Sequence, residues 1–403
     1  MSLVVQKYGG TSVGDASRIH AVAERVARRH QEGDSVVVIV SAMGHTTDEL
    51  IRIAAEVSPR HHPRAMDMLL TAGERISMAL LEMAIRDHGV EAVSLTGSQA
   101  GILTDMSHGR ARIRDIRPIR VTESLEAGKV VIVAGFQGVN PDTKEITTLG
   151  RGGSDATAVA MAAALDADSC EIYTDVDGVF TADPRLVPEA RKLDEISYAE
   201  MLEMALAGAG VLMERSVESG MRSGIPIHVR SSFHEGPGTW VKESTMEQMS
   251  VVGIAHDLSA GEITVRSAPS APASLFAALA ADGVAVDSIV QSGAKDGSAD
   301  LSFTVPRDQI GLARTVTEAA VAGLGAGEVE VVDRVGRVSV IGSAMSSHPA
   351  VAAEVLSTLT EAGVSVRGIS TSPIRITCVI DEQDVEKAVR RLHAAFDPPT
   401  VHA

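Results

Sequence analysis

The chain predicts an α/β fold built on an open sheet, followed by a pair of small ferredoxin-like modules. In its first half a short apolar run, a Gly/Ser/Thr loop and a periodic helix recur in that order. Its second half repeats itself without a gap, LFAALAADGVAVDSIVQS at 275–292 against VLSTLTEAGVSVRGISTS at 355–372. At 403 residues and 45% hydrophobic content, the length suggests two to three domains.

Leu3 to Lys7 reads as a strand opening onto Gly9, Gly10, Thr11 and Ser12. Val36 to Val40 reads as a second, opening onto Ser41-Ala42-Met43-Gly44 before a helix beginning near Thr47. Both read as strands covered on two faces. Val130 to Ala134 runs into Gly135-Phe136-Gln137-Gly138, and Glu171 to Thr174 runs into Asp175-Val176-Asp177-Gly178. One such loop is an ordinary tight turn. Four on successive strand ends mark the carboxyl edge where open α/β sheets bind ligands. Between the last two lies LGRGGSDATA, where Gly150, Gly152 and Gly153 let backbone N–H groups approach a ligand and Ser154 is placed to cap the next helix. A helix start favours negative charge, so the guest is a phosphate or a carboxylate. After about Met201 the pattern changes, a strand follows at Ile227 to Arg230, and HEGPGTW reads as a boundary loop. The expected division is a catalytic-type domain over 1–245 and repeated modules over 246–335 and 336–403. Each module reads strand, helix, strand, strand, helix, with ITV at 263–265 matching VSV at 338–340.

A formal net charge of −17 argues against a nucleic-acid or anionic-membrane partner, since either demands clustered Lys and Arg. Two cysteines, Cys170 and Cys378, are too few for a disulfide framework. The opening MSLVVQKYGG lacks a secretory pattern, and no run of about 18 apolar residues is present. A cytoplasmic location is expected. The P-loop pattern and the dinucleotide G-x-G-x-x-G are both missing.

Taken together, KYGGTS (7–12), VSAMGHTTDEL (40–50), TAGERIS (71–77), TLGRGGSDATA (148–158) and YTDVDGVFTADPR (173–185) resemble aspartate kinase, of the amino acid kinase superfamily, along nearly the full chain. The resemblance implies the amino acid kinase fold, an open three-layer αβα sandwich, followed by two ACT modules. It implies transfer of the γ-phosphoryl group of ATP to the side-chain carboxylate of L-aspartate, with Mg²⁺ bridging phosphate oxygens, as the first step toward lysine, threonine and methionine. Two like-charged reactants about 4 Å apart repel by about 4 kcal/mol at an effective dielectric near 20, so cations and backbone donors must offset the repulsion.

By the same resemblance Lys7 touches the transferring phosphate, Gly9 and Gly10 hold its oxygens, and Asp155 organises the lysine and the phosphate loops. Alone, Lys7 is a strand-end surface lysine and Asp155 an acid favoured at a helix start. Arg151 is assigned to a substrate carboxylate, which a planar guanidinium grips twice, and Glu74 to the α-ammonium. Thr47, Gly152 and Ser154 complete recognition of the acid. Tyr173, Thr174, Asp175, Val179, Asp183 and Arg185 are expected along the nucleotide, with Ser41 on its phosphate side. Tyr173 is equally a packing residue, and Arg185 equally the cap of a surface turn. No protein metal ligand is expected.

The chain departs from the family's pattern at three places. Gly210 stands in GAGVL where close relatives carry a nucleotide-binding Lys, and His45 stands where an acid is frequent. In the effector modules Ala285 and Ser365 stand where relatives grip lysine or threonine, Pro373 stands where an acid is frequent, the loops at 267–274 and 346–352 are altered, and 291–300 looks shortened. Weakened feedback inhibition is expected. A homo-oligomer is expected too, with Met246 as an internal start for a separate regulatory chain. A kinase for a substituted aspartate or glutamate, or a weakly catalytic amino-acid sensor, are the alternatives.

Overall fold

The computed structural model describes residues 2–243, 251–269, 273–293, 298–324, 327–343, 345 and 349–398. Met246 and parts of the three effector loops lie outside these. The chain begins β1 (Leu3–Tyr8), α1 (Ala16–Gln31), β2 (Ser35–Val40), α2 (Thr46–Val57), α3 (Pro63–Asp87) and β3 (Ala92–Leu95). Then come β4 (Ile102–Thr104), β5 (Ile113–Ile116), α4 (Ile119–Glu126), β6 (Val130–Ala134), β7 (Gln137–Val139), β8 (Ile146–Thr148), α5 (Gly153–Ala164) and β9 (Ser169–Thr174). The first unit closes with β10 (Glu195–Ser197), α6 (Tyr198–Leu206), α7 (Glu214–Ser223), β11 (Ile227–Ser231) and β12 (Thr239–Lys242).

Eight of these strands form one sheet in the order β10-β12-β11-β9-β1-β2-β6-β3. The run from β11 to β3 is parallel, so β9, β1, β2 and β6 are adjacent and end on the same edge. The four expected strand-end loops therefore meet. The apolar runs of β2 and β6 are wholly buried after Ser35 because helices cover both faces. α1 and α3 pack with Val36, Val38 and Val40 on one face, while α5, α6 and α7 pack with Val37 and Ile39 on the other. Alternate β2 side chains thus feed two cores, the signature of a three-layer sandwich. β5-β4-β7-β8 form a small separate sheet.

The remainder is β13 (Val251–Pro269), α8 (Ala273–Ala281), β14 (Asp287–Gly293), β15 (Ser298–Pro306), α9 (Ile310–Leu324), β16 (Glu328–Gly342), α10 (Pro349–Glu361), β17 (Val366–Ser372), β18 (Arg375–Asp381) and α11 (Val385–Phe396). Six strands make one sheet, β14-β15-β13-β16-β18-β17. The two repeats are interlaced through β13 rather than simply consecutive. The first part of β13, Val251 to Asp257, pairs with Arg337 to Gly342 and contributes Val251 and Ile254 to the core of the second repeat. After bulges between Asp257 and Glu262, the rest of β13 pairs with β15 and belongs to the first repeat. Among the described residues no helix is long and apolar enough to cross a membrane.

Candidate active site

β1 delivers Lys7 to the carboxyl edge, and the first turn of α5 delivers Asp155. Lys7 Nζ lies 2.6 Å from Asp155 Oδ1, both side chains nearly buried. The surrounding loops are stitched together through backbone bonds: Gly44 N–H donates to Gly10 O at 2.9 Å, Ser41 to Tyr8 O at 3.1 Å and Gly135 to Val40 O at 3.0 Å. Gly9 N–H is turned toward Tyr173 O at 3.4 Å, so that amide is engaged in joining β1 to β9.

The glycine loop is shaped by its neighbours. Gly152 is the N-cap of α5 at φ 67°, left-handed backbone that suits glycine, and a β-carbon there would overlap Met213. This corrects the expectation for Ser154, which lies inside the first turn and caps nothing. Its hydroxyl faces Gly135, where a β-carbon would stand 2.9 Å away. Phe136 holds φ 69°, strained for an aromatic residue, and is pinned by Thr157 Oγ1 on its N–H and Leu149 N–H on its carbonyl.

Two supports escaped sequence reasoning. Asp67, completely buried, accepts from His108 Nδ1 at 2.6 Å, Gly109 N–H at 3.0 Å and Thr148 Oγ1 at 2.6 Å, holding the loop before Ala111 against β8. An acid on the apolar face of α3, two turns before Glu74, was the available signal. Arg215 donates to Leu149 O at 2.8 Å and Ala111 O at 2.9 Å. Both guanidinium nitrogens that make these bonds are engaged in holding the loop.

Glu74 is 3% exposed and sits in the middle of α3, which Pro63 begins more than two turns earlier. Its Oε1 accepts from Ala42 N–H at 3.1 Å, and its Oε2 has no hydrogen-bond partner among the described residues. Burial pushes the carboxyl up to about 7. A buried carboxylate with an open oxygen suits an ammonium ligand. Arg151 is exposed and makes no ion pair with a described residue, leaving its guanidinium open to a carboxylate. Thr47 is half-buried in the first turn of α2. His45 is 95% exposed in its side chain and points away, 3.5 Å from Asp48.

A cavity of about 470 Å³ opens beside the β9 loop and is lined by Thr174, Asp175, Val179, Asp183 and Arg185 together with Gly210 and aliphatic residues such as Val176 and Val211. Five of the six expected nucleotide residues therefore share one cavity. Tyr173 does not: its ring stacks on Tyr8 at 4.7 Å and its hydroxyl donates to Glu171, on the opposite face of the sheet. Strand alternation sends it there, and only its carbonyl touches the site. Arg185 forms a forked pair with Asp183, Nη2 to Oδ2 at 2.7 Å, and holds that carboxyl below its usual range, while remaining largely exposed at the rim.

A model of the amino acid kinase family matches residues 2–231 and one of the ACT domain matches 338–396. The aspartokinase of Mycolicibacterium smegmatis is 53% identical over 98% of this chain and 96% of its own. The chain belongs to the aspartokinase family. The aspartate kinase of Pseudomonas putida is 46% identical over 98% of both chains. Among aspartokinase structures, that of E. coli aspartokinase III in complex with aspartate and ADP, in the R-state, superposes with a TM-score of 0.83 at 27% identity, over 98% of this chain and 100% of that one. The open cavity and the half-satisfied Glu74 thus belong to a fold that, in that relative, holds a nucleotide and aspartate.

Proposed function

We propose that the chain transfers the γ-phosphoryl group of ATP to the side-chain carboxylate of L-aspartate, giving 4-phospho-L-aspartate and ADP, the first step toward lysine, threonine and methionine. The observation that carries this reading is the nearly buried Lys7–Asp155 pair at 2.6 Å, with Asp155 in the first turn of the helix that the glycine loop opens. An aspartate carboxylate oxygen attacks the γ-phosphorus, the bond to the bridging oxygen breaks, and the electron pair leaves on ADP. The nucleophile is already ionised, so no base is needed. Catalysis rests on placement and charge. Lys7 neutralises the migrating phosphoryl oxygens, Asp155 keeps the ammonium aimed at them, Arg151 grips a carboxylate of the amino acid and Glu74 its α-ammonium. On this reading Thr47, Ser154 and Gly152 complete recognition of the acid, and Ser41 and the Gly10 amide serve the phosphate side.

Among the described residues no three His, Cys, Asp or Glu side chains converge on a metal position. A Mg²⁺ arriving with ATP, held by phosphates and water beside Asp175 of the cavity, would supply charge neutralisation on the phosphate oxygens.

The test is to incubate the chain with ATP, Mg²⁺ and L-aspartate, trap acyl phosphate with hydroxylamine, and compare glutamate and substituted aspartates. Aspartate giving the most hydroxamate is expected. No product from aspartate, with product from another acid, would reassign the substrate, and no product at all would favour an amino-acid sensor.

A further inference from the structure

The nucleotide cavity is not walled by the catalytic unit alone. β13, which opens the C-terminal sheet, lends it Ile254, Ala255 and His256. This stretch is firmly seated: Ile254 N–H donates to Thr181 O at 2.8 Å, and Ala255 packs in the same core as Met204 and Ala207. The loop opposite admits it because residue 208 is glycine, where a β-carbon would stand 2.5 Å from the His256 carbonyl oxygen. The strand therefore fixes where the His256 side chain starts. Its ring is half-buried, lines the cavity beside Asp183 and Arg185, and hydrogen-bonds no other described residue. Asp183 and Arg185 satisfy each other through their forked pair.

We propose that His256 is a nucleotide-binding residue whose imidazole hydrogen-bonds the adenosine part of ATP and ADP, so that the site is shared between the catalytic unit and the first C-terminal strand. The proposal rests on reading this cavity as the nucleotide site. Burial holds the imidazole below its ordinary range, with Asp183 and Asp257 opposing that shift and Arg185 adding to it. A neutral ring offers one donor and one acceptor, suited to a base edge or a ribose hydroxyl rather than to phosphate.

The experiment is calorimetry of the full chain with ADP and, separately, with inorganic tripolyphosphate, for wild type, His256→Ala and His256→Gln. His256→Ala is expected to weaken ADP roughly 3- to 10-fold. Tripolyphosphate affinity, the KM for aspartate and the melting temperature of the free protein should stay unchanged, and Gln, which keeps a donor and an acceptor, should recover most of the loss. ADP affinity unaltered in His256→Ala overturns the proposal. So does a loss shared by tripolyphosphate and accompanied by a lower melting temperature, which would mark a packing role. Wild type that fails to bind ADP would instead overturn the assignment of the cavity, and the proposal with it.

Discussion

At the residue scale the site depends on two charges in unequal settings. Lys7 is matched by Asp155, and Lys7→Ala removes a preorganised cation from the migrating phosphoryl group, for which a loss on the order of 10² to 10³ in turnover is expected. Near-wild-type hydroxamate formation by that variant would falsify the role. Glu74 is unmatched. With its pKa raised from 4.5 to about 7, the folded protein holds a proton there that the unfolded chain has lost. Stability contributed at this position therefore falls as pH rises from about 4.5 to 7. Affinity for the amino acid runs the other way, because only the ionised carboxylate pairs with an α-ammonium. The expected outcome is that kcat/KM for aspartate climbs through pH 7, and that Glu74→Gln raises KM and flattens the climb. An unchanged pH profile in Glu74→Gln would remove Glu74 from substrate binding.

At the scale of elements, α3 is seated by a glycine next to the acid it carries. A β-carbon at Gly73 would lie 2.6 Å from Ala42 Cβ, in the loop that leaves β2. Gly73→Ala must push helix and loop apart, at a cost of about 1 to 3 kcal/mol in stability. Thermal unfolding should show the drop, and aspartate KM should rise with it because Ala42 N–H is also the donor to Glu74; a variant as stable as wild type would contradict the tight seating. Elements of this kind were only partly legible. Strand-end loops could be read because an apolar run that stops at glycine is a local pattern. The setting of Glu74 could not: nothing local in MDMLL-TAGER shows that the acid lies in the middle of one 25-residue helix. Tyr173 was misplaced for a similar reason, since a motif names a segment while the pleat decides which of its side chains faces the ligand. The cap of α5 went to Gly152 rather than Ser154 because left-handed backbone at Gly152 closed the loop two residues earlier.

For the whole molecule, the sandwich and the C-terminal repeats were legible from patterning, whereas their interlacing was not. Which strand lies beside which is decided by pairing far along the chain, and nothing local in Val251 to Asp257 distinguishes the second repeat from the first. The effector positions can be placed in part. Ala285 N–H already donates to the Gln309 side chain at 2.9 Å and is not open to an amino acid, while Pro373 O accepts from Met345 N–H at 2.8 Å. Ser365 is exposed. We expect lysine and threonine, singly or together, to leave the initial rate unchanged at millimolar concentration; a steep fall in rate with both present would refute this.

The interlaced sheet also determines where the polypeptide can be divided. Asp257 and Ala260 pair with Arg337 and Val335, so the first repeat leaves and re-enters at nearly one point, like an appendage on a closed ring. Severing the backbone near residue 335 would strip the second repeat of a border strand, whereas a break between Lys242 and Val251 would release all six strands together. A fragment released there would keep the whole six-strand sheet but lose Ala182 and Val187 from the core of the second repeat, and it would take His256 away from the cavity it borders.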